Sequence, residues 1–409
     1  MKRKALVIGG SLGGLFAANW LRAIGWDVAV YERVEDDLAS RGAGIGTHTE
    51  LLAVLRRLGL RVDETIGVEV QTRICLDAAG RITHQAELPQ FMSAWARIYR
   101  LLKDALPPEH YHFGASLARI QQQAGGVTAV FSDGATESGD LLVGADGIRS
   151  TVRELLAPSI QPRYAGYVAW RGVADERDFP PATHAQLFEK YTFCLPEGEM
   201  MLSYPVPGRD NDTRPGRRGY NFVWYRPTDD REQLPRLCTD ANGRCHGMAI
   251  APPLIRPEAV ADLKADARAL LAPQIAGIVE RTAQPFFQAI FDLESPALVY
   301  GRVALLGDAA FVARPHVGMG VTKAALDAEG LARAIAAAGN DIDAGLAAYD
   351  SERRRFGTRI VERARRLGAY LEGQLKPAAK RTAAERSQNP AVVMREIGSN
   401  AVNLEELAA

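Results

Sequence analysis

The sequence predicts an α/β fold with three parts: a domain built on a parallel sheet, an inserted antiparallel or mixed β-sheet, and C-terminal helices. Two observations support this prediction. A strand, a glycine-rich turn, a helix and a second strand follow one another within residues 4–31. Residues 164–226 instead carry aromatic side chains in short alternating runs broken by proline and glycine, which is typical of antiparallel sheets. The 409 residues are enough for two such domains.

Composition excludes several classes of protein. Lysine plus arginine and aspartate plus glutamate both number 49, so the net charge is zero, which argues against nucleic acid as the main partner. A hydrophobic content of 47% excludes a disordered chain. The four cysteines are too few for a disulfide framework, and the spacing of Cys238 and Cys245 is not that of a zinc site, so we expect free thiols and no metal.

The basic residues at the N-terminus precede only a short apolar run, which ends at Gly9. A signal peptide needs a longer apolar core and a cleavage site of small residues. No stretch of the chain approaches the roughly 18 apolar residues of a membrane helix. We therefore expect a cytoplasmic protein that does not bind a membrane.

The first predicted elements are a buried strand over residues 4–8, a helix over 15–24 that Gly25 ends, and a second strand over 27–31. A strand, turn, helix and strand within about 30 residues form the shape of a dinucleotide-binding unit. The N-terminal domain is therefore predicted to be Rossmann-like.

The turn Gly9-Gly-Ser-Leu-Gly-Gly14 matches the dinucleotide fingerprint, with Ser11 in place of the middle glycine. Phosphates bind at the N-terminus of the helix that follows such a turn. Glu32, 18 residues after Gly14, is placed to accept the hydroxyls of an adenosine ribose. Arg33 either stacks on the adenine or is an ordinary surface arginine. A glycine turn without a ligand is the alternative for the whole motif.

The rest of the chain predicts further elements. In chain order they are a helix at about 49–58 after a second glycine cluster (42–46), strands over 70–87 and 125–143, a polar loop over 207–219, a helix over about 257–271, a strand over 303–306 and a long helix over 321–338. The basic stretch 350–371 suggests an anionic partner when taken alone, but its interleaved acids favour a solvated helix face.

Three separated segments resemble the signature segments of a known family. They are the glycine turn 9–14, the segment Asp140-Leu-Leu-Val-Gly-Ala-Asp-Gly-Ile-Arg-Ser-Thr-Val-Arg153, and residues 301–310 with their continuation through 315–320 to 332. In this order, over residues 3–371, they resemble the single-component (group A) FAD-dependent aromatic hydroxylases, which have the p-hydroxybenzoate hydroxylase fold. Segments 164–173, 204–209 and 221–225 are similar to the branch of 2,6-dihydroxypyridine 3-hydroxylases.

The resemblance implies an FAD-binding domain of the glutathione reductase type and monooxygenase activity. FAD would be bound non-covalently, with NADH or NADPH as a transient co-substrate and O2 as the oxidant. A flavin C4a-hydroperoxide would then hydroxylate a small aromatic or N-heteroaromatic ring ortho to a hydroxyl. The alternatives are a hydroxylase of another phenol, hydroxypyridine or purine, a non-catalytic binding protein with the same FAD fold, and an NAD dehydrogenase. The family also suggests a homodimer.

The resemblance assigns cofactor contacts by motif position. Asp308 is expected to hydrogen-bond the ribityl chain, and Gly307 to let the backbone approach it. The loop that contains Pro315, Gly318 and Gly320, called the flavin loop below, is expected to pass close to the isoalloxazine ring.

Three more cofactor contacts are expected. Arg100 matches a flavin-contacting arginine, Asp146 belongs to the segment tied to both FAD and the nicotinamide cofactor, and Gly44 lies in the second glycine cluster. The sequence departs from the family at Phe311 and Thr322, where histidine and asparagine are common, so the contacts at these two positions stay open.

Hydroxylation is helped by a group that takes the proton of the ring hydroxyl. His316, beside the flavin loop, is a candidate for this catalytic role, and a structural histidine is the alternative. Tyr204 is the second catalytic candidate, while Tyr225 and His48 are candidates for substrate binding. Core packing is the alternative for both tyrosines.

The predicted FAD-binding domain is discontinuous and comprises residues 1–70, 96–163 and 285–371. The predicted substrate-binding sheet comprises residues 71–95 and 164–284. Residues 372–409 are predicted to be a C-terminal tail and carry no pattern that indicates a function.

Overall fold

The structure is a computed structural model that describes residues 2–38, 44–339 and 341–399. Its strands are β1 (Lys4–Ile8), β2 (Asp27–Tyr31), β3 (Gly44–Thr47), β4 (Val68–Leu76), β5 (Ile82–Ala94), β6 (Tyr111–His112), β7 (Leu117–Gln123), β8 (Gly126–Phe131), β9 (Thr136–Gly139), β10 (Leu141–Gly144), β11 (Arg163–Asp175), β12 (Lys190–Cys194), β13 (Met200–Val206), β14 (Gly219–Pro227), β15 (Phe286–Glu294), β16 (Val299–Tyr300), β17 (Val303–Leu305) and β18 (Phe311–Val312). Its helices are α1 (Leu12–Ala23), α2 (Thr49–Arg57), α3 (Trp95–Asp104), α4 (Thr151–Leu156), α5 (Pro181–Leu187), α6 (Gln233–Leu237), α7 (Pro257–Leu270), α8 (Pro273–Arg281), α9 (Gly320–Ala337), α10 (Ile342–Gly373), α11 (Ala383–Arg386) and α12 (Pro390–Glu396).

The first sheet consists largely of parallel strands. Its strand order among the described residues is β16-β17-β10-β1-β2-β6, and β1 pairs in parallel with both β2 and β10. The residues of β1, β2, β10 and β17 are mostly buried, as is usual for parallel sheets covered by helices. Because the carboxyl ends of β1, β10 and β17 meet at one edge, the loops that follow them are neighbours. These loops contain Gly9, Asp146 and Gly307.

The second sheet is mixed. Its strand order among the described residues is β18-β15-β11-β14-β13-β12-β4-β5-β3, and its neighbours are antiparallel except for β12 and β4. The alternation of side chains gives β13 and β14 two buried faces. Met201, Phe222 and Trp224 share a hydrophobic core with α7 and α8. Tyr204 and Tyr225 lie on the opposite face, which is available to form a cavity wall.

The Rossmann-like unit and the inserted mixed sheet are both confirmed. Two strands join the second sheet, although the predicted domain limits place their residues in the FAD-binding domain. β15 pairs with β11 and β3 pairs with β5, so both belong to the second sheet, although residues 285–371 and 1–70 are predicted to be in the FAD-binding domain. The alternation within one strand does not reveal its pairing partner, which decides the sheet it joins. The domain limits themselves stay a prediction.

The C-terminal part extends the fold beyond the predicted sheet. The basic stretch 350–371 lies in α10, where Arg354 is exposed but Arg353 is buried and pairs with Asp327, so the face is not uniformly solvated. The predicted tail continues as α11 and α12 and packs Met394 into a hydrophobic core, while residues 400–409 lie outside the described residues. No helix in the described ranges is long and apolar enough to cross a membrane.

Candidate active site

A first cavity of about 720 Å³ lies at the carboxyl edge of the first sheet. Its wall includes Gly9, Ser11 and Asp146. Gly9 has a φ of +105°, and a Cβ atom there would lie 2.5 Å from the carbonyl oxygen of Ala145. Only glycine fits this position, so the glycine turn and the loop after β10 meet backbone to backbone.

The N-terminus of α1 faces the first cavity through Ser11, its N-cap residue. The Ser11 side chain makes no capping hydrogen bond to the first turn of α1. The N–H groups of this turn are therefore available to phosphate oxygens, which the helix dipole also attracts. Gly14 does not line the cavity. It lies against the Gly9 carbonyl and lets α1 pack closely on β1.

Glu32 lies at one end of the first cavity and is 7% exposed. Its two carboxylate oxygens accept the N–H groups of Gly10 and Val34, at 2.8 and 3.0 Å. A carboxylate has about four acceptor positions, so two remain for a pair of ribose hydroxyls. Arg33 lines the same end with an exposed side chain, which leaves both alternatives for this residue open.

Arg153 joins the loop after β10 to the turn after β17. Its Nη1 donates to the carbonyl oxygen of Ala309 at 2.9 Å. The Asp146 carboxylate, on the wall of the first cavity, accepts hydrogen bonds from the Ser150 hydroxyl and from the Val152 N–H. Burial raises the pKa of Asp146. The two loops predicted to contact the cofactor are thus held together by one buried side chain.

Charged side chains to which the sequence analysis assigned no contact fix the turn after β17. Lys323 donates to the carbonyl oxygen of Gly307 at 2.8 Å and pairs with Asp327 at 3.0 Å. Asp327 also accepts the Gly307 N–H at 3.1 Å and pairs with Arg353 at 2.9 Å. Asp308 lines the first cavity, and its position below the protein surface raises the pKa of its carboxyl group. The sequence feature that could have indicated this ion pair is the four-residue spacing of Lys323 and Asp327, which places them one helical turn apart.

A second cavity, of about 810 Å³, lies between the flavin loop and the second sheet. The sheet contributes Tyr204 and Tyr225, and the loop contributes Pro315 and Gly318. The residues that line both cavities are Arg171, Gln288, Asp308, Gly320 and Val321. The cavities therefore adjoin at the N-terminus of α9, and one long ligand can extend from Glu32 to the aromatic face of the sheet.

Arg171, on β11, lines both cavities and was not singled out by sequence reasoning. Its Nε is buried without a hydrogen-bond partner, and no carboxylate among the described residues pairs with it. Burial raises the pKa of Tyr191 to about 12 and also raises that of Tyr225, and the Arg171 charge opposes both shifts. Arg171 is thus a cation at the junction of the two cavities. The sequence feature that could have singled out Arg171 is the position of this charged residue between Trp170 and Gly172, within a buried aromatic run.

Tyr204 faces the second cavity and donates a hydrogen bond to the carbonyl oxygen of Gly44 at 3.1 Å. A Cβ atom on Gly44 would lie 2.7 Å from the Tyr204 ring. Burial raises the pKa of Tyr204, which favours the protonated phenol at neutral pH, and its expected catalytic role stays a prediction. Gly44 lines only the second cavity, and Gly42 lies outside the described residues.

His316 is placed behind the cavity wall, which corrects the expectation that it acts as the base. It is fully buried, and its Nε2 lies 2.8 Å from the hydroxyl oxygen of Tyr167. Its ring centre is 4.3 Å from that of Tyr225, which does face the cavity. Burial, followed by the charge of Arg314, lowers the pKa of His316 to about 3. The geometry therefore corresponds to the structural alternative.

His48 lines neither cavity, so the expected substrate contact is not made. It is the N-cap residue of α2 and is 1% exposed. Its Nδ1 lies 3.4 Å from the Thr322 hydroxyl, and burial lowers its pKa to about 4. Of the two departures from the family pattern, Thr322 thus contacts His48, and Phe311 is buried in the hydrophobic core.

Arg100 is exposed and lines neither cavity, so its expected flavin contact stays a prediction. Trp95, at the start of α3, lines the first cavity instead. Five residues turn an α-helix by about 500°, which places the two side chains roughly 140° apart around the axis.

These features fit FAD. The Glu32 carboxylate suits the adenosine ribose, the N-terminus of α1 suits the phosphates, and Asp308 lies where the two cavities adjoin. The N-terminus of α9 lies at the same junction, where its dipole favours negative charge on a reduced flavin.

Comparison with known proteins agrees with this geometry. The family model described as FAD binding domain matches residues 2–215 and 281–364. The 2,6-dihydroxypyridine 3-monooxygenase of Paenarthrobacter nicotinovorans is 31% identical over 374 residues, covering 91% of this chain and 92% of that protein.

Two solved structures are also similar. The 2,6-dihydroxypyridine-3-hydroxylase from Arthrobacter nicotinovorans has a TM-score of 0.85 at 29% identity and covers 91% of this chain and 93% of that one. Klebsiella pneumoniae HpxO, in complex with FAD and uric acid, has a TM-score of 0.74 at 26% identity and covers 96% and 95%. The chain therefore belongs to the FAD-binding family of single-component aromatic hydroxylases, with FAD as its cofactor and NAD(P)H and O2 as co-substrates.

Proposed function

We propose that this enzyme hydroxylates a small N-heteroaromatic ring of the 2,6-dihydroxypyridine type, at the carbon ortho to a hydroxyl. The observation that carries the proposal is Arg171, a cation without a carboxylate partner in the described part of the chain, at the junction of the two cavities. The similarity to a 2,6-dihydroxypyridine 3-monooxygenase over nearly the whole chain supports the substrate class.

Arg171 has a chemical role in this reaction. FAD, when bound, accepts electrons from NAD(P)H and activates O2. The ring carbon must be electron-rich to attack an activated oxygen atom, and loss of the hydroxyl proton increases its electron density. A neighbouring positive charge lowers the pKa of an acid by stabilising its anion. The substrate therefore binds as an anion, with its ionised oxygen at Arg171, after its proton has been lost to bulk solvent.

The tyrosines of the second cavity orient the ring. Burial raises the pKa of Tyr204 and of Tyr225, so both hydroxyls remain donors at neutral pH. The Tyr204 hydroxyl donates to Gly44, which leaves Tyr225 to donate to a second ring oxygen. No histidine base is required in this scheme, in keeping with the position of His316 behind the wall.

The apolar part of the wall keeps water from the reacting atoms. Leu202, Val223 and Phe291 line the second cavity beside the tyrosines. A site that excludes water directs activated oxygen to the ring and limits its release as H2O2.

The test is a screen of substrate-stimulated NADH and NADPH oxidation with O2 uptake. The panel contains 2,6-dihydroxypyridine, 6-hydroxynicotinate, urate and salicylate. We expect the strongest stimulation, with matching product, from 2,6-dihydroxypyridine. Stimulation by urate alone would favour the purine alternative, and a panel without any stimulation would reject the proposed substrate class.

The proposal also includes assembly as a homodimer and a cytoplasmic location, both suggested by the family. Light scattering during size-exclusion chromatography tests the first, and cell fractionation tests the second.

A further inference from the structure

Arg73, on β4, is fully buried. Burial lowers its pKa to about 10, so ionisation here is costly. No carboxylate in the described part of the chain forms an ion pair with this guanidinium. Its Nη1 donates to the carbonyl oxygens of Met394 and Ile397, both at 2.7 Å, and its Nη2 donates to that of Gly398 at 3.1 Å and to Gln90. The guanidinium group therefore binds the main chain at the end of α12 and directly after it.

The segment held by Arg73 comprises residues 389–399 and is called the clasp below. Asn389 caps α12 by accepting the Ala391 N–H at 2.9 Å. Val393 and Met394 are buried in the core that also contains the cavity-lining tyrosines. Ile397 and Gly398 themselves line the second cavity. The clasp thus contributes directly to the wall of the cavity.

Gly398 is the point at which the clasp meets the flavin loop. Its N–H donates to the carbonyl oxygen of His316 at 2.8 Å. Its φ is +56°, and a Cβ atom there would lie 2.9 Å from the Tyr191 hydroxyl. A Cβ atom on Gly318, in the loop, would lie 2.9 Å from the Gly398 Cα. Only glycine at both positions allows this approach.

We infer that the clasp closes the substrate cavity, with Ile397 and Gly398 as specificity-determining residues and Arg73 as the residue that positions them. This inference rests on the proposed function insofar as it takes the second cavity as the substrate site. Ile397 and Gly398 reduce the width of the cavity, and the clasp keeps solvent from the reacting atoms. The ligand class that the clasp favours is therefore a monocyclic hydroxylated aromatic over a fused bicyclic ring.

The first test compares Arg73→Met and Arg73→Lys with Arg395→Met, which removes an exposed arginine of α12. The readouts are FAD content, KM, kcat and the H2O2 formed per NADH oxidised. Uncoupled turnover is NADH + H⁺ + O2 → NAD⁺ + H2O2, so it is measured separately from ring hydroxylation. We expect Arg73→Met to raise KM and the H2O2 fraction by about one order of magnitude, because small misplacements at an active site are costly. Arg73→Lys should recover part of the loss, and Arg395→Met should match the parent.

Ile397→Ala keeps the inference testable if Arg73→Met does not fold. It removes side-chain volume from the wall without removing the acceptor that residue 397 offers to Arg73, which is its main-chain oxygen. We expect a hydroxyquinoline to stimulate NADH oxidation at least about tenfold more in this variant than in the parent. Unchanged ring-size selectivity in Ile397→Ala, or an unchanged H2O2 fraction in a folded, FAD-loaded Arg73→Met, would overturn the inference.

The same assays separate this inference from the proposed function. A parent enzyme that 2,6-dihydroxypyridine does not stimulate contradicts the proposed function. The clasp is then assessed with whichever monocyclic aromatic of the panel stimulates the parent, and stimulation by urate, a fused bicyclic ring, would contradict the ring-size selection. If none does, limited proteolysis decides: Arg73→Met should be cut within 374–399 faster than the parent and Arg395→Met, and equal rates would refute the clasp.

Discussion

Arg314 and Asp292 form a fully buried ion pair directly before the flavin loop, with Nη2 of Arg314 2.7 Å from Oδ2 of Asp292. The Arg314 Nε also donates to both Asp292 oxygens, at 3.0 and 3.1 Å, so the pair is bidentate. Arg314 also reaches Glu372 of α10 at 2.6 Å. Because Pro315 follows Arg314 in sequence, this ion pair fixes the start of the flavin loop relative to β15 of the second sheet. It therefore fixes one edge of the second cavity, which lies between that loop and that sheet.

Removing one charge from this pair should destabilise the protein strongly. Asp292→Asn leaves the Arg314 charge buried with only partial compensation from Glu372, and breaking such a pair costs about 3–5 kcal/mol. Urea denaturation measures the loss, with Glu258→Gln as a control for an exposed acid. Equal unfolding midpoints for Asp292→Asn and the control would show that the pair does not stabilise the loop.

Glu32→Ala should weaken FAD binding. The carboxylate is expected to bond the ribose, and it also fixes the glycine turn through the Gly10 N–H. A hydrogen bond to a charged group contributes about 1.5–3 kcal/mol, so the Kd for FAD should rise by roughly 10- to 100-fold. Quenching of flavin fluorescence by the apoprotein measures it, and Glu35→Ala, an exposed neighbour, should leave the Kd unchanged. A normal Kd for Glu32→Ala would exclude the ribose contact.

Arg171→Met should shift the pH dependence of hydroxylation. If Arg171 stabilises the ionised substrate, its removal raises the apparent pKa of the bound ring hydroxyl, and activity then appears only at higher pH. The measurement is kcat/KM from pH 5.5 to 9.5 in the parent, Arg171→Met and Arg171→Lys. Arg177→Met serves as the control, because Arg177 is an exposed arginine paired with Asp175. A uniform loss of rate at every pH would argue for a purely structural Arg171.

The buried histidines should make the protein sensitive to acid. Burial lowers the pKa of His316 to about 3 and that of His48 to about 4, both from 6.5. Between pH 6.5 and pH 4 the unfolded chain therefore binds more protons than the folded chain, and stability falls as pH falls. We expect the Tm to decrease over this range, and to decrease less in His316→Gln. An identical slope in the variant would assign the acid sensitivity to other groups.

The features that could be predicted from the sequence are those fixed by local spacing. The strands over residues 4–8 and 27–31 and the position of Glu32 at the first cavity follow from contiguous patterns, whereas Asp308 was assigned by the family resemblance. The orientation of His316 and the role of Arg171 depend on which surface the loop or the strand turns toward the cavity. Pairing over long sequence distances decides this.

The C-terminal segment shows the same limit. The bond between Arg73 and Met394 joins residues 321 positions apart. Nothing in the local pattern around either residue indicates such a contact. The sequence of the C-terminal segment therefore did not indicate its role, although Ile397 and Gly398 line the second cavity. The flavin contact of Arg100 stays a prediction for a simpler reason, since a match to a family position does not include the rotation of the helix that carries the residue.

The most direct test of the central claim is isotope transfer from ¹⁸O2 during NAD(P)H-dependent turnover of 2,6-dihydroxypyridine. The account predicts a product with one ¹⁸O atom on the ring carbon ortho to a hydroxyl, formed in proportion to the nicotinamide consumed. Consumption of nicotinamide and O2 that yields only H2O2, or a product without the label, would contradict it.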